Sequence, residues 1–166
     1  MYLCLRIVLK QNIMLFLSLG TNLGDREKNL NNAIDWIIRK IGQVVKKSSF
    51  YQTKPEGFVS DNDFFNVVIA VKTKLPIYQV FKQTRKIEKI LGRTKKSKNE
   101  IYTDRIIDID ILAYNNLIIK TKKLTLPHPK LHLRKFVTEP LAEILPNWQH
   151  RILNVPKAHE FTQGKC

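Results

Sequence analysis

Apolar positions along this 166-residue chain fall into two periods, one suited to strands and one to helices. Residues 13–19 form an apolar run broken only by Ser18, which predicts a buried strand. It ends at Gly20-Thr21-Asn22-Leu23-Gly24-Asp25, which reads as a loop. From Asp25 the spacing turns helical: Leu30, Ala33, Ile34, Ile37, Ile38 and Ile41 make one stripe, and Gly42 stops it. Residues 43–53 suit a strand, 54–63 are rich in turn formers, and 64–72 predict a strong strand. Pro76 opens a second helix that runs to about Leu91, with Gly92 as its terminator. Residues 93–104 are polar and basic and read as a mobile loop. An apolar strand follows over 105–112, and Asn115-Asn116 reads as a hairpin-like turn into 117–119. Residues 124–129 are extended, 133–145 suit a short helix, and the tail after Pro146 has little pattern.

Strand, helix, strand, strand, helix, strand is the series of an α+β fold, a ferredoxin-like antiparallel sheet with helices packed on it. The length fits one domain, expected over residues 14–148 with 149–166 as a C-terminal tail. Residues 1–13 read as an upstream extension before Met14. The competing reading of the first nineteen residues as a signal peptide suffers from a short apolar part and no clean cleavage site. Cys4 and Cys166 form no metal-ligand spacing or disulfide framework, so a reduced, cytoplasmic setting is the simpler expectation. No apolar run approaches the roughly 20 residues of a membrane span. The net charge of +15 points to an anionic partner or substrate, although much of it is scattered lysine.

The chemistry concentrates in Arg105-Ile106-Ile107-Asp108-Ile109-Asp110-Ile111-Leu112. On a strand, Asp108 and Asp110 project from one face while Ile107, Ile109 and Ile111 face the core. Two like charges on a mostly apolar strand call for something positive between them, and Asp/Asp oxygen ligation is how Mg²⁺ is commonly held beside phosphates. The alternative is a solvated carboxylate pair with basic neighbours as counter-charge. No Gly-x-x-x-x-Gly-Lys-Ser/Thr signature occurs, and Gly20-Thr21-Asn22-Leu23-Gly24 lacks dinucleotide spacing, so any phosphate must be handled by side chains and metals. In Leu126-Pro127-His128-Pro129-Lys130-Leu131-His132, Pro129 argues against a helical His-x-x-x-His zinc site. His128 between prolines either donates to a phosphate oxygen or is a turn residue of no special role.

Six separated segments then resemble one family in order and spacing: 18–25, 49–53, 63–66, 105–112, 126–129 and 139–141. Over about residues 14–148 the chain resembles 6-hydroxymethyl-7,8-dihydropterin pyrophosphokinases of folate biosynthesis. The resemblance implies transfer of diphosphate from ATP to the pterin hydroxymethyl group, giving AMP and the pterin diphosphate. It implies that Asp108 and Asp110 hold two Mg²⁺ ions, with catalysis mainly by positioning and electrostatics. Asp110 is also the candidate acceptor for the hydroxyl proton. Arg93 and Arg105 match basic catalytic-loop residues, Glu88 fits a nucleotide-contacting or arginine-orienting position, and Ile111, Thr125, His128 and Arg134 match further ATP contacts. Thr53, Pro55, Phe64, Asn66, Tyr102 and Phe136 match the pterin pocket, where rings stack on a flat heterocycle and Asn66 reads its amide-like edge.

The chain departs from the family pattern in places. Tyr102-Thr103-Asp104 replaces the usual Trp-Gly-Pro, which puts a smaller aromatic cap and an extra carboxylate beside Arg105. Pro129 stands where a tyrosine is frequent, with Lys130 as a substitute donor; Lys95 replaces an arginine, and Glu56 an apolar residue. The expected partners are small molecules only, for a monomer without nucleic acid or membrane. The rival reading, a basic nucleic-acid-binding module on the same kind of sheet, lacks the Lys/Arg-Gly-Phe/Tyr type signature.

Overall fold

The computed structural model describes residues 13–93 and 103–147. Its main sheet is built from β1 (Ile13–Thr21), β2 (Gly42–Lys47), β3 (Tyr51–Thr53), β4 (Phe64–Thr73) and β5 (Asp108–Tyr114). Helices α1 (Arg26–Lys40), α2 (Ile77–Ile90) and α3 (Lys135–Ile144) pack on it, and β6 (Ile119–Lys120) pairs with β7 (Thr125–Leu126) as a separate ribbon. The order β2-β4-β1-β5 is antiparallel throughout, with β3 also on β4. This is the expected ferredoxin-like arrangement, and the crossings through α1 and α2 put both helices on one face.

The period-two pattern assigns the two faces. Leu15, Leu17, Leu19, Val67, Ile69, Val71, Ile109 and Ile111 meet Leu30, Ile34 and Ile37 of α1 and Val80 and Ile87 of α2 in the larger core. The opposite face carries Phe16, Val68, Ala70 and Ala113, covered by Val137, Leu141 and Ile144 of α3. A fully buried Leu or Ile contributes about 1.5–3 kcal/mol, so β1, buried on both faces from Leu15 onward, anchors the domain. Asp25 caps α1 by accepting the Lys28 backbone N–H at 3.0 Å.

Four elements differ from the sequence pattern. The strand expected over 43–53 is split, because Ser48 substitutes its side chain for ladder geometry: its N–H donates to Val68 O at 3.0 Å and its Oγ accepts the Val68 N–H at 3.1 Å. Gly20 and Thr21 belong to β1 and not to a loop, since both pair with β4. The Asn115 turn is present, with φ 47°, but Ile119 pairs with Leu126 instead of returning along β5. The β5 edge is met instead by the following segment, where the His128 N–H donates to Leu112 O at 2.8 Å. Helix α3 begins at Lys135, two residues late, because Arg134 is still extended. The basic loop lies mostly outside the described residues, as do Tyr102 and Lys95.

Helix α3 is tied to the β2–β3 edge by charge as well as packing. Glu143 accepts the Ser49 N–H at 2.9 Å and the Tyr51 hydroxyl at 2.8 Å, and Lys46 Nζ donates to Ile144 O at 2.9 Å. Burial pushes the Glu143 carboxyl up, but the bonds from Ser49 and Tyr51 hold it below its ordinary value of 4.5. Its contribution is therefore fully present above that value and lost as pH falls through the folded-state pKa. Glu143→Gln is expected to cost about 1 kcal/mol at pH 7. Urea denaturation at stepped pH should show the two proteins converging in acid; a constant difference would contradict the assignment.

Candidate active site

The α3-bearing face of the sheet is not covered along its whole length. Toward the ends of β1, β4 and β5 it opens into a cavity of about 470 Å³. The register explains the floor: Gly20 lies between Asn66 of β4 and Asp108 of β5, and Ser18 lies opposite Asp110. A Cβ on Gly20 would stand 2.9 Å from Asn66 Oδ1 and 3.7 Å from Phe64 Cδ1. Only glycine leaves that space open. Asp108 and Asp110 share this face, while Ile107, Ile109 and Ile111 are buried on the other.

The two carboxylates are compensated unequally. Gly92, at φ 97°, turns the chain at the end of α2 so that the Arg93 N–H donates to Glu88 O at 2.9 Å. The Arg93 guanidinium then bridges Glu88 and Asp108, and Arg105 pairs with the other Asp108 oxygen at 2.6 Å. Burial pushes Asp108 up, but Arg93 and then Arg105 outweigh it and hold it below the usual carboxylate range. Among the described residues Asp110 forms one ion pair, with Arg134 at 3.7 Å, and feels the Arg85 charge more weakly. Burial first, then the Asp108 charge, raise Asp110 to about 7.

Glu88 is the hub behind the cavity. It is 3% exposed and accepts from Arg85 at 3.1 Å and from the Ile109 N–H at 2.9 Å, as well as from Arg93. It thus locks α2 to β5 beside the aspartates. Arg93 Nε is buried with no hydrogen-bond acceptor among the described residues. Six cations line the cavity (Lys54, Arg85, Arg93, Arg105, Lys130 and Arg134) against three carboxylates (Glu56, Asp108 and Asp110). That excess suits a polyanion.

His128 and the rings complete the walls. The Lys130 N–H donates to His128 Nδ1 at 3.2 Å, which leaves the proton of the neutral ring on Nε2. Burial, then Arg134, lower its pKa to about 4, so it stays a neutral donor at pH 7. Arg105 lies 5.6 Å above the Phe64 ring and Arg134 lies 5.4 Å above Phe136. Asn66 Nδ2 donates to Thr53 Oγ1 at 2.8 Å, which fixes the amide beside Phe64.

Of the residues singled out from the sequence, Thr53, Phe64, Asn66, Arg93, Arg105, Asp108, Asp110, His128, Arg134 and Phe136 come together on the one cavity. Ile111 and Thr125 line a second cavity of about 220 Å³ that shares Arg85, Asp110 and His128 with the first. Pro55 does not line it; its neighbours Lys54 and Glu56 do. Tyr102 lies outside the described residues. Arg85, Phe58 and the Ser18–Gly20 floor went unpredicted. Arg85 carried a signal in its i, i+3 spacing to Glu88, whereas Phe58 carried none in an irregular loop. The Asp104 carboxylate, expected beside the phosphate-facing groups, does not line the cavity.

Residues 16–146 match the profile of 7,8-dihydro-6-hydroxymethylpterin-pyrophosphokinase (HPPK). The chain belongs to this family. A curated HPPK of Porphyromonas gingivalis is 41% identical over 138 residues, 82% of this chain and 93% of that protein. The Bacillus subtilis HPPK is 37% identical over 134 residues, covering 80% and 78%. Among solved structures, wild-type Plasmodium falciparum HPPK-DHPS with pteroate superposes with a TM-score of 0.72 over 92% of this chain at 17% identity, which supports the fold. This chain spans only 42% of that longer one.

The fit of the HPPK floor to glycine is directly testable. Gly20→Ala is expected to push the Asn66 amide off Thr53 and to cost about 1–3 kcal/mol by urea denaturation. A shift of the Asn66 side-chain amide resonances should accompany the loss; unchanged resonances would refute the close approach.

Proposed function

We propose that the cavity is the site at which this chain transfers diphosphate from ATP to 6-hydroxymethyl-7,8-dihydropterin, a step of folate biosynthesis. The observation that carries this reading is the juxtaposition, on one sheet face, of an under-compensated aspartate pair and a ring-and-amide pocket. Asp108 and Asp110 line the same cavity as Phe64, Asn66, Thr53 and Phe136, with the Arg105 and Arg134 guanidinium groups set over the two rings. Family membership supports the same chemistry.

The donor set fits Mg²⁺. Among the described residues no group of three or more His, Cys, Asp or Glu side chains converges, so a hard cation here would be held by Asp108 and Asp110 together with ligand oxygens. Mg²⁺ commonly binds in this way, through one or two carboxylates plus phosphates. Asp110, with its weak compensation, is the stronger attraction for a cation. Two bound Mg²⁺ ions would neutralise charge on the ATP phosphates and lower the barrier to transfer.

The protein's own groups do the rest. The pterin hydroxyl oxygen forms a bond to the β-phosphorus of ATP as its proton passes to the Asp110 carboxylate, and the bond from the α–β bridging oxygen to the β-phosphorus breaks, so that AMP leaves with that oxygen. Arg93, Arg105 and Arg134 donate forked hydrogen bonds to phosphate oxygens, and neutral His128 donates through Nε2. Glu88 keeps Arg93 oriented, and Ile111 and Thr125 line the nucleotide side. Phe64 and Phe136 stack on the pterin, with Asn66 and Thr53 on its polar edge and Pro55 shaping the adjoining loop. In this reading the catalytic unit spans residues 14–148, acts as a cytoplasmic monomer and has no nucleic-acid partner. A nucleic-acid-binding module would instead need open aromatics on a sheet face that α3, Asp108 and Asp110 occupy. No described helix is long and apolar enough to cross a membrane.

Incubation with the reduced pterin, ATP and Mg²⁺ is expected to yield AMP and the pterin diphosphate, and chelation should abolish turnover. ADP as product would overturn diphosphate transfer. Asp108→Ala and Asp110→Ala are each expected to lower kcat by on the order of 10²–10³-fold with an unchanged circular dichroism spectrum. Retained turnover would remove the aspartates from the metal site.

A further inference from the structure

Asp104, a departure from the family pattern, does not face the cavity but joins two of its walls. Asn22 Nδ2 donates to Asp104 Oδ1 at 2.7 Å and Asn62 Nδ2 donates to Oδ2 at 3.0 Å. The Ser60 hydroxyl bonds to the same carboxylate, while Ser60 Oγ accepts the Asn62 N–H at 3.1 Å. Bonds from Ser60, then Asn22 and Asn62, hold the Asp104 carboxyl below its ordinary range. On the other side Asn22, 2% exposed, grips the Arg105 backbone twice. Its N–H donates to Arg105 O at 3.1 Å and its Oδ1 accepts the Arg105 N–H at 2.8 Å.

Each end of this knot carries cavity residues. Arg105 pairs with Asp108 and covers Phe64. The loop over residues 54–63 contributes Lys54, Glu56, Gly57 and Phe58 to the wall, and Phe58 packs edge-on against Phe64 at 6.2 Å. The base of that loop is fixed at Asp63, which accepts from Gln52 and pairs with Lys54, both at 2.8 Å. Its tip at residues 60–62 is held to the Arg105 segment through Asp104 and Asn22.

We propose that Asp104 is a positioning residue that fixes Arg105 and the 54–63 loop relative to each other, so that the phosphate-facing guanidinium and the pterin-facing wall are set as one unit. This rests on the pyrophosphokinase reading of the cavity. Asp104 touches no substrate and acts through Arg105 and Asn62. The nucleotide-side residues Ile111 and Thr125 lie on other elements and are not held by this knot.

The Asn62 and Arg105 amide hydrogens report on the knot directly, because each is bonded within it. In Asp104→Ala, hydrogen exchange at both amides is expected to speed up about tenfold or more. The KM for the pterin should rise about tenfold with a fall in kcat, and ATP affinity without pterin should weaken as well, because the released Arg105 guanidinium faces the phosphates. Asp104→Asn, which keeps an acceptor for Asn22, should recover most of both. Asn62→Ala should reproduce the Asp104→Ala effect, and the double variant should be no worse than either single one. Unchanged exchange, unchanged pterin kinetics or additive losses in the double variant would each overturn the proposal. Absence of AMP formation by the wild type would instead sink the pyrophosphokinase reading, and the exchange rates would still judge the knot.

Discussion

Asp108 and Asp110 stand two residues apart on one face of β5, opposite Gly20 and Ser18 of β1. Like charges so placed repel, and burial beside an apolar core raises the cost of each. The surrounding structure answers for one of them and not the other. Asp108 has two arginines, one delivered by the end of α2 and one by the segment entering β5. Among the described residues Asp110 has one distant ion pair, with Arg134 at the start of α3, and a weaker pull from Arg85. The site is therefore built with a residual demand for positive charge at a fixed point on a rigid sheet. Glu88 makes that point rigid, since its buried carboxylate ties α2 to the Ile109 backbone between the two aspartates. A carboxylate so buried is tolerable only because Arg85, Arg93 and a backbone N–H all serve it.

Much of this was legible in the sequence because strand periodicity is strict. Once 105–112 is read as a strand, Asp108 and Asp110 must share a face and Ile107, Ile109 and Ile111 must share the other. The helical stripes of α1 and α2 were equally readable, apart from Ile38, which turns to solvent, as were their stops at Gly42 and Gly92. What failed to show was anything set by side chains acting as backbone. Ser48 interrupts the 43–53 strand by bonding to Val68 through its Oγ, and no propensity forecasts that choice. Ile119 chooses Leu126 over β5 because another segment already meets that edge at Leu112, a matter of tertiary competition.

The site divides along the same line. Residues brought by regular elements, such as Asn66, Phe64 and Asp110, could be placed by register. Phe58 sits in an irregular loop and Arg85 looks like any surface helix cation until Glu88 is seen to be buried. Asp104 is the clearest case. The sequence shows an extra carboxylate beside Arg105, and only the fold shows that it bonds to Asn22, Asn62 and Ser60.

The face of β1 that lines the cavity reads, in order, Met14, Phe16, Ser18, Gly20. Side-chain volume falls at the last two positions, while the backbone continues in a regular ladder with β4. Subtraction of side chains at these two positions thus opens the hollow, just beyond the register shift between Phe16 and Leu17 in the β1–β5 ladder. Its depth is a property of individual positions and can change by one residue at a time without altering strand pairing. The opposite face of the same strand carries Leu15, Leu17 and Leu19 at full burial, so the floor inherits the stiffness of the core directly beneath it. A family of such proteins could reshape what it accommodates while leaving the scaffold untouched.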